Sequence, residues 1–330
     1  MFRPRNASKE SLKMKIKGRS QAIKPKYLYI TFAVSLLICT ALRFYHSVKL
    51  IDVETGFYET KNFTVTLFYI LLIAAGAFMT IASFVSANNG KFETEKTLGK
   101  NKPLGIISAV LGLSFLTECL QSMLNALYAS RNATIYTDVS YFSQFMKNGY
   151  LPNIFVALLS LLTSFYFIKF AKSCLGKCKI ASSRVASLIP VVWALLKLIS
   201  FFVKQISFVK VSDLLLEIAA LIFTSIFLLS LAQCVSGVYA DVAQWRLTGV
   251  GLTAALMLIM LNFPKFCLTI FGGGSHIVTD YPVNYAELIM GIFILGIVFS
   301  LGRSGAKAEA VEVSEAVETD IASDDSEDQE

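Results

Sequence analysis

The stretch LGIISAVLGLSFLTECLQSMLNALYAS, residues 104–130, decides the fold. It is apolar for most of its length and long enough to cross the hydrocarbon core of a bilayer as an α-helix, which takes about 20 residues. Four polar residues interrupt it at steps of four, three and four: Ser114, Glu118, Gln121 and Asn125. This spacing predicts a polar stripe along one helical face. Because a carboxylate within such a helix is costly, we expect Glu118 to face other helices or water.

The composition extends this interpretation to the whole chain. Of its 330 residues, 55% are hydrophobic and 16% are charged, whereas typical soluble domains carry about 25% charged residues. Apolar runs predict eight spans, at residues 27–44, 63–87, 104–130, 151–171, 185–203, 214–238, 247–262 and 286–301. The sequence therefore predicts an all-α, polytopic transmembrane helix bundle over residues 27–301. A basic arm (1–26) and an acidic, disordered tail (302–330) flank it.

The seventh predicted span is the least regular. Asn262 and Pro264 interrupt it, and a further apolar piece follows at residues 266–271. Because proline removes a backbone donor and disturbs a helix, the sequence leaves two alternatives open. Residues 266–271 either belong to the span or turn back into the membrane interface.

The distribution of basic residues predicts the orientation. With the amino terminus inside, the inner segments carry 21 Lys and Arg residues and the outer side carries 8. This excess follows the positive-inside rule, and an even number of spans then places both termini in the cytoplasm. We expect a plasma-membrane location, with the bilayer as the partner of the basic arm rather than nucleic acid.

Two outer connections carry local patterns. In residues 48–59, the turn-forming residues 52–56 separate two short apolar stretches and predict a small hairpin or tight loop. In the connection between the third and fourth spans, Asp138 is expected to cap a short helix that ends at Asn148 and Gly149. Its apolar face predicts a helix that lies on the membrane surface.

Residues 41–46 (ALRFYH) and 50–58 (LIDVETGFY) resemble a known signature. It belongs to a family of uncharacterised multi-pass membrane proteins from clostridia-like Firmicutes, in which a Leu-Arg-Phe-Tyr run precedes a Leu-Ile-Asp-Pro-Glu-Thr-Gly-Phe segment. Here Val53 replaces the proline, which leaves the turn less rigid. The resemblance implies a Gram-positive bacterial plasma membrane and implies no activity.

Ionisable residues inside the predicted spans point to a functional site. At a rise of about 1.5 Å per residue, the charged residues of the third, fifth and sixth spans all fall in the outer half of the bilayer. We predict an outward-facing pocket for a solute or ion between these spans, with Lys197 pairing with Glu118 or Glu217. The predicted pocket residues are Glu118, Gln121, Asn125, Lys197, Glu217 and Arg43, with Asp213 and Glu287 near span ends in the same half.

The same residues also have structural interpretations. Glu217 lies in the first turn of its predicted helix, where the helix dipole stabilises an acid. Lys197 can extend toward the lipid boundary, and the other polar residues of the third span can join helices by hydrogen bonds. These interpretations fit Glu118 least well, because it lies deep and has no easy route to water.

Three classes of function remain open. The first is a transporter or solute-binding protein, the second a membrane-embedded enzyme that acts on an envelope substrate, and the third a scaffold whose tail recruits a cytoplasmic partner. The sequence contains no recognisable catalytic motif, metal-ligand motif or cofactor motif, which makes the enzyme the less favoured interpretation. The gathering of charged residues at one depth favours transport or ligand binding.

Overall fold

A computed structural model describes residues 25–52, 57–58, 62–86, 101–131, 140–176, 185–203, 211–238, 240–272 and 283–302. The predicted basic arm, apart from its last two residues, and the predicted acidic tail after Gly302 lie outside these ranges. Within them the chain forms nine α-helices. They are α1 (Pro25–Lys49), α2 (Phe63–Val85), α3 (Lys102–Arg131), α4 (Tyr141–Lys147), α5 (Tyr150–Cys174), α6 (Ile189–Val203), α7 (Val211–Ser236), α8 (Ala240–Ile270) and α9 (Tyr285–Gly302).

Eight of these helices correspond to the eight predicted spans. Seven are long and apolar enough to cross a membrane, and α6, which follows the 3-10 turn Ala186–Leu188, is a shorter apolar helix. Large apolar side chains such as Leu37, Ile73 and Phe155 are exposed on the outside of the bundle. A surface of apolar side chains suits contact with lipid. Each helix also satisfies its own backbone hydrogen bonds, which lipid cannot do. The predicted class is confirmed: the chain is a multi-pass helical membrane protein.

Helix α8 lies at the centre of the bundle. The apolar window of α8 is 83% buried, compared with 22% for α1. It packs against α1, α2 and α7, and Gly249 allows a close approach to α2. A Cβ on Gly249 would lie 2.8 Å from the Cβ of Ser83 and 3.0 Å from the carbonyl oxygen of Met79. Small residues at such contacts let membrane helices pack closely.

The seventh span continues through its proline. Pro264 lies inside α8, which runs on to Ile270, so residues 266–270 belong to the helix rather than to a separate interfacial piece. Membrane helices tolerate an internal proline where neighbouring groups satisfy the freed backbone atoms. Two residues before the proline, the Asn262 side-chain amide donates to the Leu258 carbonyl at 3.1 Å. The continuation places Lys265 within the bundle, where it is buried.

Helices α3 and α5 form the most extensive helix pair, and α6 packs on α5 beside them. Ser164 of α5 donates to the carbonyl of Gly112 in α3 at 2.6 Å. Trp193 of α6 meets the Phe115 ring edge-on, with centroids 4.7 Å apart, and donates to Ser160 at 3.0 Å. These contacts fix α6 against α3 and α5, and they set the position of Lys197 one helical turn beyond the tryptophan.

Both patterned connections form local structure. Ile51 pairs with Tyr58 as an antiparallel bridge, which confirms the tight loop after α1. The short helix α4 is also present, but Asp138 was the wrong cap. The helix begins at Tyr141, and the residue directly before it, Ser140, accepts a hydrogen bond from Ser143 N at 3.4 Å. Asp138 lies outside the described residues, too far along the chain to hold the cap position of this helix.

Candidate functional site

Seven charged side chains from six helices meet in one half of the bundle. The C-terminal parts of α1, α3, α6 and α8 reach this half, and α7 and α9 begin in it. Six of the seven are more than nine-tenths buried, and the Glu217 side chain is 13% exposed. The seven residues, called the charge network below, are Arg43, Glu118, Lys197, Asp213, Glu217, Lys265 and Glu287.

Lys197 is held between two carboxylates. Its Nζ lies 2.5 Å from Oε1 of Glu118 and 2.8 Å from Oε1 of Glu287. The same ammonium lies 5.2 Å from the centre of the Trp193 ring, a position that adds a cation–π attraction. The Asn284 side chain is near Glu118, yet Oε2 of Glu118 receives no hydrogen bond within the described part of the chain. We call Glu118, Lys197 and Glu287 the triad.

The first turn of α9 positions Glu287. Asn284 precedes the helix, and its Oδ1 accepts from the backbone N–H of Glu287 at 3.3 Å, in the manner of an N-cap. Asn262 of α8 donates to Oε2 of Glu287 at 3.3 Å and accepts from the backbone N–H of Asn284 at 3.1 Å. Both carboxylate oxygens of Glu287 are therefore occupied, and the helix N-terminus favours its charge.

The rest of the charge network joins α1, α7 and α8. Arg43 pairs with Asp213, and Lys265 Nζ lies 3.6 Å from Oδ2 of Asp213 and 3.5 Å from Oε1 of Glu217. Asp213 and Glu217 are four residues apart, so they share one face of α7. Glu217 also lies close enough to Lys197 to interact electrostatically. The two parts of the network are therefore contiguous.

The loop after α1 packs against Arg43. The guanidinium Nη1 donates to the hydroxyl of Tyr58 at 3.0 Å. His46, one turn after Arg43, meets the Tyr58 ring edge-on with centroids 5.6 Å apart, and its Nε2 lies 3.3 Å from Oγ1 of Thr64 in α2. The bridged loop thus holds its tyrosine on the buried arginine at the end of the bundle.

Four of the six predicted pocket residues belong to the charge network: Arg43, Glu118, Lys197 and Glu217. Of the two partners considered for Lys197, the structure pairs it with Glu118, while Glu217 pairs with Lys265. The three spans predicted to line the pocket are joined by α1, which carries the predicted residue Arg43, by α9, which carries Glu287, and by α8, from which no pocket residue was predicted.

Gln121 and Asn125 lie away from the network. Both are exposed, so the part of the predicted stripe that follows Glu118 does not face the interior of the bundle. In the last turns of α3 the buried residues are Ser122 and Ala126, which continue from Glu118 in steps of four. The buried face of α3 follows this seam of small residues, because helices approach each other most closely there.

Lys265 is the network residue that sequence reasoning missed. The seventh predicted span ends at Asn262, which places Lys265 in the outer connection that follows it. The available signal was its spacing: Lys265 comes three residues after Asn262, on the adjoining part of one helical face. A helix that continues through the proline brings both residues to the network.

No family model, curated protein or solved structure matches this chain. Within the described ranges, no group of three or more His, Cys, Asp or Glu side chains is arranged to hold a metal ion.

The charge network offers several shared partners. Lys197 and Lys265 each contact two carboxylates, so each cation is shared between two acids. In the low dielectric of a bundle interior each such contact is strong, and removing one partner leaves a costly uncompensated charge. Intramembrane ionisable residues that pair in this way mark solute pathways, ion pathways and proton relays.

Proposed function

We propose that this protein is a transporter or solute-binding protein whose charge network forms the binding site. The observation that carries the proposal is the meeting of seven charged side chains, six of them buried, in one half of a membrane bundle. Charged side chains inside membrane helices are costly, and proteins keep them where they handle solutes, ions or protons.

A purely structural role accounts for the network less well. Buried ion pairs contribute little net stability compared with well-packed apolar residues, because desolvation offsets most of the attraction. A scaffold would need each charge to be matched by a partner. Here one cation serves two acids in the triad, and one oxygen of Glu118 is left without a hydrogen bond within the described residues.

The proposed site faces outward. The network lies in the half of the bundle opposite the start of α1, and the excess of Lys and Arg assigns that start to the cytoplasm. Both termini are then cytoplasmic. The resemblance of the first helix and its loop supports the plasma membrane of a Gram-positive bacterium. Because the site offers groups of both signs, we expect it to bind a small charged or zwitterionic solute.

Uptake by reconstituted protein tests this function. The full chain in proteoliposomes is given labelled amino acids, organic acids and amines in turn, with an imposed proton or sodium gradient. We expect one solute class to accumulate above the level of protein-free liposomes. Glu118→Gln should reduce that uptake by about tenfold or more, which corresponds to a loss of about 1.4 kcal/mol. Gln121→Ala, one turn away on the exposed side of α3, should retain it.

Two results would count against the proposal. One is the absence of uptake or stabilising binding for every solute class by protein that remains folded in the liposomes. The other is equal uptake by Glu118→Gln and by the unaltered chain. Thermal unfolding with each solute provides the binding measurement, because a ligand at about 100 times its Kd stabilises the folded state by about 2.7 kcal/mol.

A further inference from the structure

Among the residues that the structure describes, the charge network contains one more acid than base. Arg43, Lys197 and Lys265 are matched against four carboxylates. Arg43 and Lys265 are paired with the two acids of α7, so the excess falls on the triad. There a single ammonium faces both Glu118 and Glu287. An uncompensated negative charge in a buried site is costly, which favours the binding of one positive charge.

The geometry of the triad distinguishes its two acids. Glu287 uses Oε1 for Lys197 and Oε2 for Asn262. Glu118 uses Oε1 for Lys197, whereas its Oε2 is buried and has no hydrogen-bond partner in the part of the chain that the structure describes. The available position for a positive charge is therefore Oε2 of Glu118.

Within the described ranges, the neighbouring helices supply no second ammonium for this oxygen. On α7 and α8, Glu217 and Lys265 form their own pair, and Arg43 of α1 faces Asp213. Helix α5, which packs along α3, carries no acid and no histidine, and its two lysines lie in its last two turns, toward the opposite end of the bundle.

A proton suits this position better than a metal cation does. Metal cations such as Ca²⁺ and Mg²⁺ take about six or more oxygen ligands. The amide oxygens of Asn262 and Asn284 already accept backbone N–H groups, and both oxygens of Glu287 are occupied. A proton needs one oxygen, and Oε2 of Glu118 provides it.

We propose that the triad binds one proton, on Oε2 of Glu118. Binding forms one O–H bond with a proton taken from water, and release returns the carboxylate, so the step needs no other reactant. With the proton bound, the charge network is neutral, with three cations and three carboxylates. Proton binding by the triad does not depend on the proposed function. The exchange of this proton during solute uptake does rest on it.

Infrared difference spectroscopy of the full chain in lipid nanodiscs tests the proposal. Spectra recorded between about pH 5 and about pH 9 separate protonated from ionised carboxyl groups. We expect the unaltered protein to lose one buried carboxylic-acid C=O band as the pH rises. Glu118→Gln should lack this band, and the control variant Asp52→Asn, whose carboxyl lies outside the charge network, should retain it. A band that persists in Glu118→Gln, or the absence of any such band in the unaltered protein, overturns the assignment.

The pH dependence of thermal unfolding provides a second measurement. A proton held by the folded state and lost by the unfolded state makes the protein less stable as the pH rises, by the linkage of binding and folding. The unfolding midpoint of the unaltered chain should therefore fall between about pH 5 and about pH 9 more than that of Glu118→Gln. A midpoint that sodium raises and acid does not would overturn proton binding in favour of a bound cation.

The two proposals fail separately. The spectra and the unfolding midpoints involve no solute, so the expected band without any solute uptake leaves proton binding standing and the transport function refuted. Solute uptake by a protein that shows no protonated carboxyl group refutes proton binding and leaves the transport function standing.

Discussion

Replacing Lys197 by methionine removes the cation of the triad while keeping the length and apolar stem of the side chain. The variant leaves Glu118 and Glu287 on either side of the vacated position, where their Oε1 atoms lay 2.5 and 2.8 Å from Nζ. Both residues remain buried among the same helices. We expect this substitution to be among the most destabilising single changes in the bundle.

The expected loss follows from these distances. The Oε1 atoms of Glu118 and Glu287 are at most about 5 Å apart, and at an effective dielectric constant of about 20 their repulsion is therefore at least about 3 kcal/mol. Breaking a buried ion pair by removing one partner costs about 3–5 kcal/mol in general. Protonation of one acid limits the loss, so the effect should be larger at alkaline pH than at acid pH.

Unfolding by dodecyl sulfate in mixed micelles measures the loss. Trp193 reports it in a Trp245→Phe background, because its ring packs edge-on against Phe115 at 4.7 Å. We expect Lys197→Met to lower the free energy of unfolding by about 3–5 kcal/mol. Adding Glu118→Gln should recover about 1–3 kcal/mol, because the two sites are coupled.

Lys169→Met is the matched control for this experiment. Lys169 is exposed on α5, so its loss should change stability by no more than about 0.5 kcal/mol. The reasoning is refuted if Lys197→Met costs no more than this control. It is equally refuted if the double variant is no more stable than the single one, since the two carboxylates would then not repel each other.

Packing and orientation give two further predictions. Gly249→Ala should destabilise the protein by about 1–3 kcal/mol in the same unfolding assay, because the new Cβ meets the backbone of α2. Gly296→Ala, which meets side-chain ends of Leu104 and Ile107, should cost less than about 1 kcal/mol, and equal losses would contradict this account of the α2–α8 contact. Cysteines introduced near residues 10 and 320 should react with a membrane-impermeant maleimide after the cells are permeabilised. Labelling of either position in intact cells would contradict the cytoplasmic assignment of the termini.

The spans and the depth of their charged residues could be predicted from the length of the apolar runs and from the position of each residue along its run. Each apolar run approaches the thickness of a bilayer, so the runs identify the spans almost directly. Counting residues along two spans placed Glu118 and Lys197 at similar depth, and the structure pairs them. Such counting succeeds because every helix rises by nearly the same distance per residue.

The unpredicted part depends on contacts between helices. Gln121 and Asn125 share a helical face with Glu118 by spacing, but the inward face of α3 drifts along Ser122 and Ala126. The spacing of polar residues defines a helical face. It does not show along which part of that face a neighbouring helix packs. Lys265 was missed for a related reason, because a proline stops a helix in water more often than in a bundle whose neighbours satisfy the backbone.

The triad also constrains the order in which the protein is made. Lys197 follows Glu118 by 79 residues, which takes about 4–16 s at about 5–20 residues per second. During this interval α3 exists without its ammonium partner, and a charged residue at the centre of a membrane helix opposes insertion by about 2.5–3.5 kcal/mol. We therefore expect α3 to enter as the neutral acid, or to wait beside the translocon until α6 arrives. The group that gives the bundle its buried charge thus links the insertion of the third helix to a helix that is made later.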